Sequence, residues 1–228
     1  MAAQRWKDLR LRLVSALVMV PVALGAILAG GLVWQLVLGV LAGGGVIEWA
    51  MLCGVRLRSV PQPRVWATGT VYILLAWAAL AFLRAGPGGA ANVLFVMVTV
   101  FGGDVGAYLA GRLLGGPKLA PGVSPGKTWS GAVGGVVSGL AAGLLVATLF
   151  GAGPRDRFSA LCLAFCLCVV AQGGDLLESA MKRRFGKKDS SSLIPGHGGL
   201  LDRLDGLLAA APVAALWLAV RQGVVLWQ

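Results

Sequence analysis

Seven stretches of this chain stay apolar for about twenty residues at a time, the length at which a helix matches the hydrocarbon thickness of a bilayer. They fall at roughly 11–29, 32–53, 66–84, 92–111, 129–150, 158–180 and 201–220. Helix breakers stand between several of them: Gly30-Gly31, Val60-Pro61-Gln62-Pro63 and Gly86-Pro87-Gly88-Gly89. Only 13% of the residues are charged, against about 25% in a soluble globular domain. The expectation is an all-α polytopic membrane protein with about seven transmembrane helices. Its 35 glycines suit packing in lipid, where small residues let helix backbones approach. The first run follows Arg5, Lys7, Arg10 and Arg12, as a signal peptide would. It lacks a small-residue cleavage site and precedes further spans, so it is read as a retained helix.

A net charge of +11 raises the question of a polyanionic partner, and its distribution answers it. With the N-terminus inside and seven spans threaded, sixteen of the twenty Lys and Arg residues lie on inside segments. Arg84, Arg155, Arg157 and Arg221 lie outside. Cytoplasmic loops of membrane proteins carry this excess, so a cytoplasmic N-terminus is expected and no nucleic-acid partner is. The same threading puts every polar motif on the cytoplasmic face of the cell (inner) membrane. Cys53, Cys162, Cys166 and Cys168 lie in or beside apolar runs and read as small helix filler.

Chemistry concentrates late in the chain. Five of the nine acids fall between Asp175 and Asp205, with the only histidine, His197. Asp175, Glu178, Ser179 and Lys182 are spaced i, i+3, i+4 and i+7 and share one helix face. Charge at the edge of a span is costly and points to function, although Glu178 and Lys182 could also snorkel from an interfacial helix end. Lys187-Lys188-Asp189 and Gly196-His197-Gly198-Gly199 follow. Glycines let backbone amides approach an anion, and the lysines supply positive charge. Asp202 and Asp205 open the last run, where acids can cap a helix or serve as hard oxygen ligands for Mg²⁺.

A second polar region holds Asp104 and Tyr108, at i and i+4, then Arg112 and Ser124-Pro125-Gly126-Lys127-Thr128. The Gly-Lys-Thr run is not a Walker site, since glycine would be needed where Pro121 stands and no strand is expected before it. A phosphate-contacting turn at the N-terminus of the following helix is expected instead.

Ser179-x-Met181-Lys182-Arg183, Lys188-Asp189, Ser191, Ile194-Pro195, His197-Gly198-Gly199-Leu200 and Asp202-Arg203-Leu204-Asp205 resemble, at every spacing, the signature of the phosphatidate cytidylyltransferases (CDP-diacylglycerol synthases). Asp104-x-x-Ala107-Tyr108, Gly111-Arg112 and Ser124-Pro125-x-Lys127-Thr128-Trp129 extend the likeness over roughly 95–220, and Glu48-Trp49 is a weaker echo. Many members carry Glu or Gln where this chain has Ser130, so that position is assigned no role. Longer members also have about two more spans between the second and third runs. On this resemblance residues 1–90 are abbreviated N-terminal membrane helices, and 91–228 form a catalytic membrane region.

The resemblance implies that phosphatidic acid in the bilayer attacks the α-phosphorus of CTP, giving CDP-diacylglycerol and pyrophosphate with one or two Mg²⁺ ions. It places Asp175, Asp202, Asp205 and Asp104 as metal ligands. Asp175, Asp202, Asp205, His197 and Lys182 would be the catalytic set, with His197 binding phosphate or moving a proton. Arg183, Lys188, Asp189, Gly198, Gly199, Arg203, Ser124, Lys127, Thr128 and Tyr108 would bind substrate. A second copy of the chain, as a homodimer, is the one protein partner considered.

Three rivals stand beside this reading. A CDP-alcohol phosphotransferase needs D-x-x-D-G-x-x-A-R and later acids, but Ala210 replaces the arginine and no acid follows Asp205. A CTP-using polyprenol kinase or an archaeal-type ether-lipid cytidylyltransferase is closer kin. An ion-coupled transporter would spread polar residues along several spans at midplane depth, whereas here they cluster at one face.

Overall fold

A computed structural model describes residues 19–55, 61–191 and 198–228. Within them run seven helices: α1 (Met19–Ala29), α2 (Gly31–Leu52), α3 (Pro63–Ala85), α4 (Gly89–Leu114), α5 (Trp129–Leu149), α6 (Pro154–Arg184) and α7 (Leu201–Arg221). Six of them, α2 to α7, are long and apolar enough to cross a membrane. The protein is an all-α polytopic membrane protein, with helices where the apolar runs placed them. Large apolar side chains such as Leu32, Val40, Leu113, Leu149 and Val220 point outward, each at least 73% exposed. That is the surface of a protein solvated by lipid.

One small element departs from expectation. Ser124–Thr128 is not a turn but strand β2, paired antiparallel with β1 (Lys118–Ala120) through Lys118↔Thr128 and Ala120↔Ser124. A strand therefore does precede the Gly-Lys-Thr run. The Walker pattern still fails, because Pro121 lies in the hairpin. The strand ends at the helix it feeds: the Thr128 hydroxyl accepts from the Gly131 amide at 3.1 Å and caps α5.

Helices α4 and α5 pack backbone to backbone. A methyl group at Gly131 would sit 2.9 Å from the Ala107 carbonyl oxygen, and one at Gly139 would sit 3.0 Å from that of Thr99. Only glycine fits at these crossings, the mode of close packing that lipid-embedded helices favour. Asp104 lies on α4 between Gly103 and Gly106, two of the glycines that pack on α5.

The two ends of the bundle are built differently. At the end where α3, α5 and α7 finish, residues after α7 fold back under the helices. Asn92 clamps that tail, donating to the Val224 carbonyl at 3.2 Å and accepting from the Leu226 amide at 2.8 Å. Trp227 is 1% exposed and packs on Phe95 and Phe150. Arg84 donates to the Ile27 and Leu28 carbonyls, tying the last turn of α1 to the end of α3. At the opposite end, α2, α4 and α6 finish and α5 and α7 begin. There the polar side chains meet one another.

Candidate active site

The charged face anticipated on α6 exists. Lys182 reaches Glu178 one turn back at 3.2 Å and Asp202 of α7 at 2.6 Å, with all three side chains at most 13% exposed. Ser179 donates to Asp175 at 3.4 Å. Asp175 in turn pairs with Lys127 of β2 at 2.5 Å. The hairpin is thus what delivers Lys127 to α6.

Asp202 both caps its helix and holds a lysine. Its Oδ2 accepts from the Gly199 amide at 2.9 Å and the Ser190 amide at 2.8 Å, while Oδ1 takes Lys182. A carboxylate offers about four lone pairs, so Oδ1 keeps one beyond Lys182. Asp205, one turn on, accepts from the Gly206 amide at 2.7 Å. Its carboxylate lies within electrostatic reach of Asp175, Glu178 and Asp104.

Several of these groups line one end of a cleft of about 1390 Å³. Asp104, Tyr108, Lys127, Thr128, Asp175, Lys182, Asp189, Asp202, Arg203 and Asp205 all border it. So do Gln172 and Arg112; the latter donates to the Tyr108 hydroxyl at 2.7 Å. The rest of the wall is apolar: Val20, Leu24 and Ile27 of α1, Leu38 and Leu41 of α2, Leu80 of α3, and Met97, Val98 and Phe101 of α4. One cleft therefore joins a charged end to a hydrocarbon wall.

Other expected site residues lie elsewhere. Arg183 donates to the Val123 carbonyl at the hairpin tip and to the Lys187 carbonyl. Lys188 is exposed and Ser124 is half-buried in β2, and neither borders the cleft. Gly198 adopts φ +85° against Asp202, while Gly199 packs onto Ser190 and Glu48. Both glycines thus serve contacts within the protein. His197 lies outside the described residues.

Composition and spacing gave no hint of what Glu48 does. It is fully buried near the end of α2 and accepts from the Ser191 hydroxyl at 2.5 Å, the Leu200 amide at 2.8 Å, the Leu201 amide at 2.9 Å and the Ser190 hydroxyl at 3.3 Å. Its partners stand more than 140 positions away, beyond the reach of any local pattern.

The model of the cytidylyltransferase family matches residues 62–221, from the start of α3 to the end of α7. The chain belongs to the cytidylyltransferase family. A phosphatidate cytidylyltransferase of Brucella suis is 43% identical over 199 residues, covering 83% of this chain and 73% of that protein. One from Pseudomonas aeruginosa is 37% identical over 265 aligned positions, covering 92% and 98%. That alignment is longer than the 228 residues here, so the Pseudomonas relative carries segments without a counterpart in this cytidylyltransferase. One from Mycobacterium leprae is 45% identical over 153 residues.

Proposed function

We propose that this cytidylyltransferase joins CTP to phosphatidic acid, forming CDP-diacylglycerol and pyrophosphate. The observation that carries the reading is the cleft itself. Its charged end suits a nucleoside triphosphate, and its apolar wall suits the acyl chains of a lipid. The names of its relatives agree.

A phosphate oxygen of the lipid attacks the α-phosphorus of CTP, and the bond from that phosphorus to the bridging oxygen breaks, releasing pyrophosphate. Such displacement asks the protein for positioning and charge neutralisation. Lys127, Lys182 and Arg203 supply positive charge to the phosphates. The Lys127–Asp175 pair is part exposed, so Lys127 can exchange its carboxylate partner for a phosphate. Lys182 is clamped between Glu178 and Asp202 and presents a fixed charge.

Mg²⁺ is the expected cofactor, and the donor set fits it. Among the described residues no three acids or other metal-binding side chains converge as a ready-made cage. Mg²⁺ needs no cage, since it binds through one or two carboxylates plus substrate phosphates. Asp175 and Asp205 would hold it, with Asp104 beside them and the spare lone pair of Asp202 in reserve. Bound there, the ion would neutralise charge on the triphosphate and leaving group.

Purified protein in vesicles, given labelled CTP and phosphatidic acid, should form CDP-diacylglycerol only with a divalent metal. Full activity in chelator would sink the metal assignment. Product formed on polyprenol or ether-lipid acceptors but not on phosphatidic acid would replace the lipid assignment, and cation flux without product would replace both. We further propose that the charged end faces the cytoplasm. Cysteine placed at Arg155, on the other end, should then label from outside, and cytoplasmic labelling would reverse the topology.

A further inference from the structure

We propose that Glu48 is a positioning residue for this reaction, fixing the segments that carry Asp189, Asp202 and Arg203 into the cleft. The inference rests on the cytidylyl-transfer reading above. Glu48 does not border the cleft, so it touches no substrate. Its buried carboxylate accepts from Ser190 and Ser191 on one side of residues 192–197, and from the Leu200 and Leu201 amides on the other.

Those two amides belong to the start of α7, whose N-cap residue, Leu200, supplies no side-chain cap. The first amides of a helix have no partner within it, and an anion there also meets the positive end of the helix dipole. Glu48 therefore caps α7 from a different helix, while Asp202 takes the Gly199 amide from within. Ser190 is shared between the two, its hydroxyl lying 3.0 Å from Asp202 Oδ2 and 3.3 Å from Glu48 Oε2. Removing the acceptor at position 48 releases both flanks of the segment together. The Lys182–Asp202 pair then loses its fixed place, whereas Lys127 and Asp175, on β2 and α6, keep theirs.

A carboxylate can accept four such hydrogen bonds. The amide of glutamine, the same size, would aim an N–H₂ group at donors. Aspartate keeps the charge and shortens the reach. Positioning by acceptors thus ranks Glu48→Asp above Glu48→Gln, whereas a space-filling role ranks them the other way.

For Glu48→Gln, kcat per folded enzyme should fall at least tenfold while KM for CTP changes less than threefold. Trypsin should cut at Lys187, Lys188 or Arg203 at least tenfold faster than in wild type. Glu48→Asp should recover kcat to within fivefold and restore most of the protection. Wild-type kcat or wild-type trypsin resistance in Glu48→Gln would overturn the proposal, as would Glu48→Gln outperforming Glu48→Asp. If Glu48→Gln does not fold, Ser191→Ala, which removes one donor of four, decides. It should speed cleavage two- to fivefold, and unchanged cleavage would overturn the proposal. The trypsin pattern is read without substrate. A wild-type enzyme that made no CDP-lipid would therefore strike the proposed reaction and leave this test standing.

Discussion

The two ends of the bundle solve the same problem, how to hold polar groups in an apolar protein, in opposite ways. At the plugged end, Arg84, Asn92, Arg157 and Arg221 hydrogen-bond to backbone carbonyls. At the charged end Arg183 and Lys187 also bond to carbonyls, but there side chain meets side chain as well. All three ion pairs found among the described residues, Lys127–Asp175, Lys182–Glu178 and Lys182–Asp202, are there. A bond to a backbone carbonyl has no exchange partner and serves closure. A carboxylate or ammonium paired with its opposite can trade that partner for a metal ion or a phosphate. The difference separates a seal from a site.

The sharpest way to break this comparison is at Asp175. Asp175→Asn should lower CDP-lipid turnover by about 10³-fold, about 4 kcal/mol of barrier, with its thermal midpoint nearly unchanged. Wild-type turnover would show that exchangeable charge is not what the charged end is for. Lys182→Met comes next. It leaves Glu178 and Asp202 buried without their cation and should cost about 3 kcal/mol of stability in a denaturant titration in detergent, besides activity. Adding Glu178→Gln should recover part of that loss.

The plugged end should respond in stability alone. Trp227→Ala empties a pocket against Phe95 and Phe150 and should cost about 3 kcal/mol, with kcat per folded enzyme within twofold of wild type. A large kcat loss there would mean that the seal communicates with the site. Arg84→Met should be mildest, about 1 kcal/mol, read as faster proteolysis of α1 than of the rest of the bundle.

Much of the fold was legible because a bilayer fixes helix length. The apolar runs located α2 to α7 to within a few residues, and α6 overran its run at both ends. Pro154 starts that helix a turn earlier, and the basic Lys182–Arg184 end, which is not apolar, continues it. The hairpin was not legible, because strands of three and five residues are too short to show alternation. Within the site, the α6 face could be read from helical spacing alone. The Lys127–Asp175 pair could not, since it depends on where β2 ends. The resemblance, not spacing, places Arg183 and Lys188 among the substrate ligands. The structure shows one bound to backbone and the other facing outward.

Glu48 carries a consequence for biogenesis. Helix α2 enters the membrane early, and the donors that satisfy its carboxylate, Ser190, Ser191 and the first amides of α7, are synthesised last. Until those segments are made and dock, the Glu48 carboxylate lacks all four of these donors. The docking of α7 ends that state and brings Asp202 and Asp205 to the cleft in the same motion. Completing the charged end of the cleft and satisfying the Glu48 carboxylate are therefore one event.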